Sequence, residues 1–301
     1  MKVHILGFGE PRFQPQKITF IKEIKTMTRE MIITELSNRG YKAEAQNTIK
    51  NGVELEGIRI LTDSNIAPVI YTKAIIENAE NENKSLDEVV SAIISTYESH
   101  KSFEFDVNML FDRDFILNSI FVGLQKVSTE DIEKKLCEDF EGIESYLYIR
   151  GEADREGSYS IKVSKAVLNR ANISEVEAWE QAQTNTEAET SLESMAKVMC
   201  EMMNMEYSED MDEMTPFFII SNKSKVKGAS AILNKKVLAE FGERYHTNKI
   251  VVLPSSVHEM LLVPYTEEID LDTFSDMVGQ VNSSEVDPTE QLVDRAFIIT
   301  L

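Results

Sequence analysis

The sequence predicts an α+β fold of mixed, mostly antiparallel sheets with packed helices, and three observations carry that expectation. The stretch Phe217 to Pro264 reads in order as strand, loop, helix, strand, tight turn and strand. An Asn51-Gly52 pair sits between two stretches of strand character, Ala43–Ile49 and Val53–Leu61, which is the strongest short hairpin signal a sequence carries. Between and around these lie stretches whose apolar residues recur at spacings of three and four, the period of an amphipathic helix.

Along the chain, Val3–Leu6 has strand character and is followed by Gly7-Phe8-Gly9-Glu10-Pro11. A glycine pair after a strand invites a dinucleotide reading, but the third glycine of that fingerprint is missing and Pro11 breaks the helix start, so an added strand is expected instead. From Lys17 to Ser37, Phe20, Ile24, Met27, Met31, Ile32 and Leu36 define one face of a helix, which Asn38-Arg39-Gly40 ends. A short strand is expected at Asn65–Ile70. Ser85 and Glu88 have capping-box spacing before a helix marked by Leu86, Val89, Val90, Ile93 and Tyr97. A short helix or turn follows at Val107–Arg113, then a strand within Ile116–Val127.

Thr129-Glu130-Asp131-Ile132 carries a helix-start pattern, and Ile143–Ile149 pairs with Tyr159–Val163 across a loop at 151–157. Helices are expected at Ser174–Gln183 and Glu187–Met205, then a solvated acidic loop at Tyr207–Thr215. In the C-terminal module, strands Phe217–Ser221 and Ile250–Leu253 flank a helix marked by Ile232, Leu233, Val237, Leu238 and Phe241. Pro254-Ser255-Ser256 leads into another strand at Met260–Val263, followed by a helix at Asp270–Val281 and a last strand at Ala296–Leu301. The expected organisation is an N-terminal half (1–128), central strands and helices (129–206) and a C-terminal module (216–301) packed into one body.

The runs KGASAILNKKVLAEF, IVVLPSSVHEMLLVP and VNSSEVDPTEQLVDRAFII carry a resemblance, joined upstream by NGVELEGIRI, NIAPVIY and SLDEVVSAIISTYESH. From about Met27 onward the chain resembles an uncharacterised bacterial family, a domain of unknown function common in gut anaerobes, with LPSSVHE as its most specific mark. The resemblance implies the fold and a bacterial origin. It carries no catalytic residues and names no activity.

Composition narrows the function classes. With 301 residues and 42% hydrophobic content the chain can bury a substantial core. A net charge of −21 argues against nucleic acid or an anionic membrane as a direct partner, because binding to those polyanions is driven by clustered Lys and Arg. Cys137 and Cys200 are too few for a disulfide scaffold or a four-ligand zinc site and fit reduced thiols in a cytoplasm. No apolar run approaches the roughly 20 residues of a membrane span, and no secretory signal pattern opens the chain. His4, His100 and His246 have no metal-ligand spacing, and no cofactor or metal is expected.

Four groups of residues could carry function. Ser256, His258 and Glu259 place a hydroxyl near an imidazole, as nucleophilic catalysis needs, although a turn whose hydroxyls bond the backbone makes the same pattern. Lys223, Lys225, Lys227 and Gly228 precede a helix, where anions can bind, or they form a solvated basic loop. Met195, Met199, Met202, Met203 and Met205 read first as core filling and second as an adaptable partner groove. Glu206, Glu209, Asp210, Asp212 and Glu213 make an acidic surface suited to a basic protein. Two readings of function follow. The first is a non-enzymatic cytoplasmic protein-binding factor, an accessory or inhibitory protein of a bacterial genome or mobile element that acts on a basic, nucleic-acid-binding partner. The second is a small hydrolase or anion-binding enzyme centred on Ser256, His258 and the 223–228 loop.

Overall fold

Thr28 caps the first helix, α1 (Arg29–Asn38), by accepting the Met31 N–H at 3.3 Å. The computed structural model describes residues 26–62, 69–100, 105–153 and 157–301. The strand expected at Val3–Leu6, the glycine pair after it and the 17–25 part of the first helix lie outside the described residues. Strands β1 (Ala43–Lys50) and β2 (Val53–Ile60) form the expected hairpin, with Lys50 opposite Val53. Asn51 and Gly52 both take positive φ, 50° and 79°, as a two-residue primed turn requires. Strand β3 (Val69–Tyr71) pairs with β2, while most of the strand expected at 65–70 falls outside the described residues. Helices α2 (Lys73–Asn81) and α3 (Leu86–His100) follow. The capping box forms as its spacing predicts: the Glu88 N–H donates to Ser85 Oγ at 3.3 Å and the Ser85 N–H to Glu88 Oε2 at 2.8 Å. Ile32 and Leu36 of α1 pack with Ile58 and Ile60 of β2 and Val89, Val90 and Ile93 of α3.

The second sheet is built on β6 (Ile143–Ala153). One edge pairs with β4 (Ile120–Lys126), the other with β5 (Lys134–Leu136) and β7 (Gly157–Lys162), all antiparallel. Ile149 pairs with Ile161 as expected, but both strands run further into the predicted 151–157 loop. The strand expected within 116–127 is β4, preceded by α4 (Arg113–Ser119), which starts where the Asp112 carboxylate accepts the Phe115 N–H at 2.9 Å. One local expectation is corrected here. The Thr129–Ile132 helix start does not form: Glu130 is drawn to Lys162 at 2.6 Å and to Gln125 at 3.0 Å, and the chain runs on to β5.

After α5 (Lys165–Arg170), α6 (Glu175–Glu189) lays Ala178 and Ala182 against Ile120, Val122, Leu147 and Ile149. The predicted 187–205 helix is interrupted. Residues 190–194 form strand β8 (Thr190–Ser194), which pairs with β9 (Phe218–Asn222), and only then does α7 (Met195–Met202) begin. The acidic loop at 207–215 contains a short helix, α8 (Met211–Met214). A 3-10 turn (Gly228–Leu233) and α9 (Lys235–Arg244) lead to β10 (Lys249–Leu253), β11 (Met260–Pro264), α10 (Leu271–Glu285) and β12 (Phe297–Thr300). The third sheet has the order β12-β10-β11-β9-β8 with antiparallel neighbours throughout. Leu124, Phe140 and Ile143 of the second sheet region share a core with Phe218, Ile220, Phe241, Ile250 and Leu262 of the third. Each such side chain contributes about 2 kcal/mol on leaving water.

Candidate functional site

The LPSSVHE segment and the lysine loop meet at one junction. Ser256 is a turn residue: its N–H donates to the Glu259 carbonyl at 3.1 Å and its Oγ accepts the His258 N–H at 3.0 Å. His258 Nδ1 accepts the backbone N–H of Lys227 at 3.1 Å, which leaves Nε2 as the nitrogen able to donate. That nitrogen faces Glu290 Oε1 at 3.4 Å. The imidazole is thus committed to a backbone amide and a carboxylate, and the Ser256–His258 pairing that nucleophilic catalysis needs is not what the geometry makes.

Gly228 sits where nothing larger fits, since a Cβ there would lie 2.3 Å from Ser221 Oγ, 2.5 Å from Asn222 N and 2.8 Å from the His258 carbonyl. Just before it, Lys227 takes a left-handed φ of 54° and turns its side chain inward. Its Nζ donates to the Tyr146 hydroxyl at 3.2 Å and lies 5.6 Å from the Tyr148 ring centre. Burial pulls the Lys227 ammonium below its ordinary range, against the opposing pull of Glu290 and Glu130, and burial raises both tyrosines. The other two lysines diverge. Lys223 Nζ donates to the Ala188 carbonyl at 3.1 Å near the end of α6, and Lys225 pairs with Glu193. The three ammonium groups expected to bind an anion together are therefore kept apart, and the helix start they precede is a buried 3-10 turn. Asn51 completes the junction from the first hairpin: its Nδ2 donates to the Gln291 carbonyl at 2.6 Å and its Oδ1 accepts the Lys126 N–H at 2.8 Å.

A second region has the opposite character. Helix α7 buries Ala196 and Cys200, four residues apart, so its other side turns outward. Met199, Met202, Met203 and Met205 are exposed, Met202 at 83%, and Met214 of α8 joins them at 86%. This corrects the expectation that these methionines fill the core. Cys200 Sγ touches Met211 Sδ at 3.6 Å and holds α8 against α7. Around the methionines stand exposed Glu201, Glu206, Glu209, Asp210 and Glu213.

Asp212 leaves that acidic surface, because it is only 5% exposed. Ser194 donates to its Oδ1, and the Tyr207 and Tyr245 hydroxyls lie 3.0 and 3.4 Å from its Oδ2. Burial first, with Asp212 adding to it and Arg244 opposing, pushes the Tyr245 hydroxyl up to about 12. Asp212 lies at a cleft of about 530 Å³ between β8, α7, α8 and α9. Sequence reasoning missed Asp212, Tyr146, Glu290 and Asn51 as polar anchors; only Asn51 carried a signal, the Asn-Gly turn itself.

Among the described residues no group of three or more His, Cys, Asp or Glu side chains is placed to hold a metal ion, and no helix is long and apolar enough to cross a membrane. The chain belongs to a family of unknown function (DUF5688), whose sequence profile matches residues 18–299, somewhat earlier than the expected start near Met27. No curated protein and no solved structure matches it.

Proposed function

We propose that this member of the DUF5688 family is a non-enzymatic, cytoplasmic protein-binding factor that docks a basic partner on the methionine face of α7 and α8. The observation that carries the reading is the exposure of Met199, Met202, Met203, Met205 and Met214 among carboxylates. Unbranched, polarizable thioethers adapt to varied apolar surfaces, and exposed apolar patches rimmed by polar groups mark interaction sites. The surrounding acids, in a chain of net charge −21, would speed encounter with a cationic partner and exclude anionic ones. A nucleic-acid-binding protein held this way would be kept from its own ligand, which is an inhibitory mode of action. The hydrolase reading draws no support from His258, whose Nδ1 accepts a backbone N–H.

The test is calorimetry of a synthetic amphipathic Lys/Leu peptide against the full chain and against a variant carrying Glu206→Gln, Glu209→Gln, Asp210→Asn and Glu213→Gln. At low salt the variant is expected to bind about tenfold more weakly, and raising the salt should narrow the gap. Equal affinity at low salt would remove the acidic face from the mechanism.

A further inference from the structure

We infer that the Asp212 cleft is a socket for an arginine side chain of the docked partner. This inference rests on the reading of the methionine face as a docking surface, because the two share elements: Lys197 of α7 and Glu209 and Asp212 of the 203–214 segment line the cleft. Its wall is aromatic. Tyr245 packs on Phe218 and Phe241 with ring centres 4.8 Å apart in each case, and all three line the opening.

The cleft already displays how a guanidinium would lie. Arg244 stands over the Tyr245 ring at 5.4 Å, 3.6 Å from Glu209 and 3.8 Å from Asp212, close to both carboxylates but beyond good hydrogen-bond length. A carboxylate offers about four acceptor sites, and the Ser194, Tyr207 and Tyr245 hydroxyls occupy three of those on Asp212. The two tyrosines take both positions on Oδ2, the oxygen that Arg244 approaches, and the one acceptor position left is on Oδ1. Glu193, Glu209, Asp212 and Glu240 line the cleft against Lys197 and Arg244, and Glu193 is also paired with Lys225 outside it. An anionic ligand would have to approach the buried Asp212 carboxylate. A planar guanidinium instead stacks on tyrosine and presents its N–H fork to carboxylates, which an ammonium does less well. Arg244 is about half exposed and is held by no short contact to either acid, so an incoming arginine can displace it.

The deciding experiment is an NMR titration of the full chain with Nα-acetylarginine amide, using Nα-acetylcitrulline amide as the neutral isostere. The arginine probe is expected to shift Tyr207, Glu209 and Tyr245 at about millimolar affinity, with the citrulline probe at least about fivefold weaker. Arg244→Ala removes the resident competitor and should tighten the arginine probe about threefold. Weaker arginine binding in that variant would make Arg244 part of an anion site and overturn the inference. Silence of the cleft resonances would overturn it as well, whatever the methionine face does. That face is read separately, from the Met202 and Met214 methyl signals on adding the amphipathic peptide. Cleft shifts with unresponsive methionine methyls would keep the guanidinium socket and overturn the docking reading of the methionine face, so the two fail separately.

Discussion

Lys227 and Met202 each sit against the usual habit of their residue type, and the contrast separates the two regions. At the junction a lysine is drawn inward to a tyrosine hydroxyl, beside a histidine bonded to backbone and a glycine with no room for a Cβ. On the α7–α8 face, methionines stand in water beside carboxylates. Buried polar groups with their partners in place hold segments in register, whereas exposed apolar groups without partners leave free energy to be gained on binding. The most specific sequence mark of the chain, LPSSVHE, thus belongs to a structural joint. The feature that composition alone described as plain acidity belongs to the surface proposed to act.

This contrast can be broken or sharpened by measurement. Gly228→Ala forces a Cβ against the Asn222 amide and the His258 carbonyl, and backbone cannot yield as a side-chain tip can. A loss of about 3 kcal/mol in denaturant unfolding is expected, the upper end of the range for overpacking. Asn51→Gly keeps the positive φ but strands the Lys126 N–H and the Gln291 carbonyl, and should cost about 2 kcal/mol by the same measurement. A loss under about 0.5 kcal/mol from either variant would mean that the junction is not a joint at all.

Mild peroxide treatment probes the other side. Met202 and Met214 should convert to sulfoxide at least about tenfold faster than Met260, which is fully buried, and the fold should survive their oxidation. Equal rates by peptide mass mapping would mean that the face is covered in solution. The smallest effect concerns pH. Burial lowers the Lys227 pKa below its ordinary 10.5, so the unfolded chain holds more protons between the lowered folded value and 10.5. The penalty is fully present below that window and relieved as pH rises through it. Wild-type stability should therefore gain on Lys227→Met as pH approaches 10.5, and a flat difference would show that the ammonium is not desolvated.

Local chemistry made much of the fold legible. The Asn51-Gly52 turn, the Ser85/Glu88 capping box and the apolar runs at 250–253 and 260–263 each act through near neighbours in sequence, and each appears where expected. Strand β8 was hidden because Thr190–Ser194 is extended by pairing with β9, from Asn222 back to Phe218, and no local pattern records that partner. The Thr129 start signal was overridden by the long-range attraction of Lys162 for Glu130. Met195, Met199, Met202 and Met203 share one side of the 195–205 helix pattern, opposite Lys197 and Glu201, so periodicity marked as core-facing the side that is in fact exposed. Asp212 looked like its acidic neighbours, since only the arrival of Ser194, Tyr207 and Tyr245 makes its burial tolerable.

The most direct test of the central claim is the affinity of the amphipathic Lys/Leu peptide for a Met202→Gln, Met203→Gln, Met214→Gln variant compared with wild type. These side chains are exposed, so unfolding stability should stay within about 0.5 kcal/mol. Peptide affinity is expected to fall about tenfold, near 1.4 kcal/mol, because the thioethers that would be covered are gone. An unchanged affinity, with the variant fully folded, would contradict the assignment of this face as the docking surface.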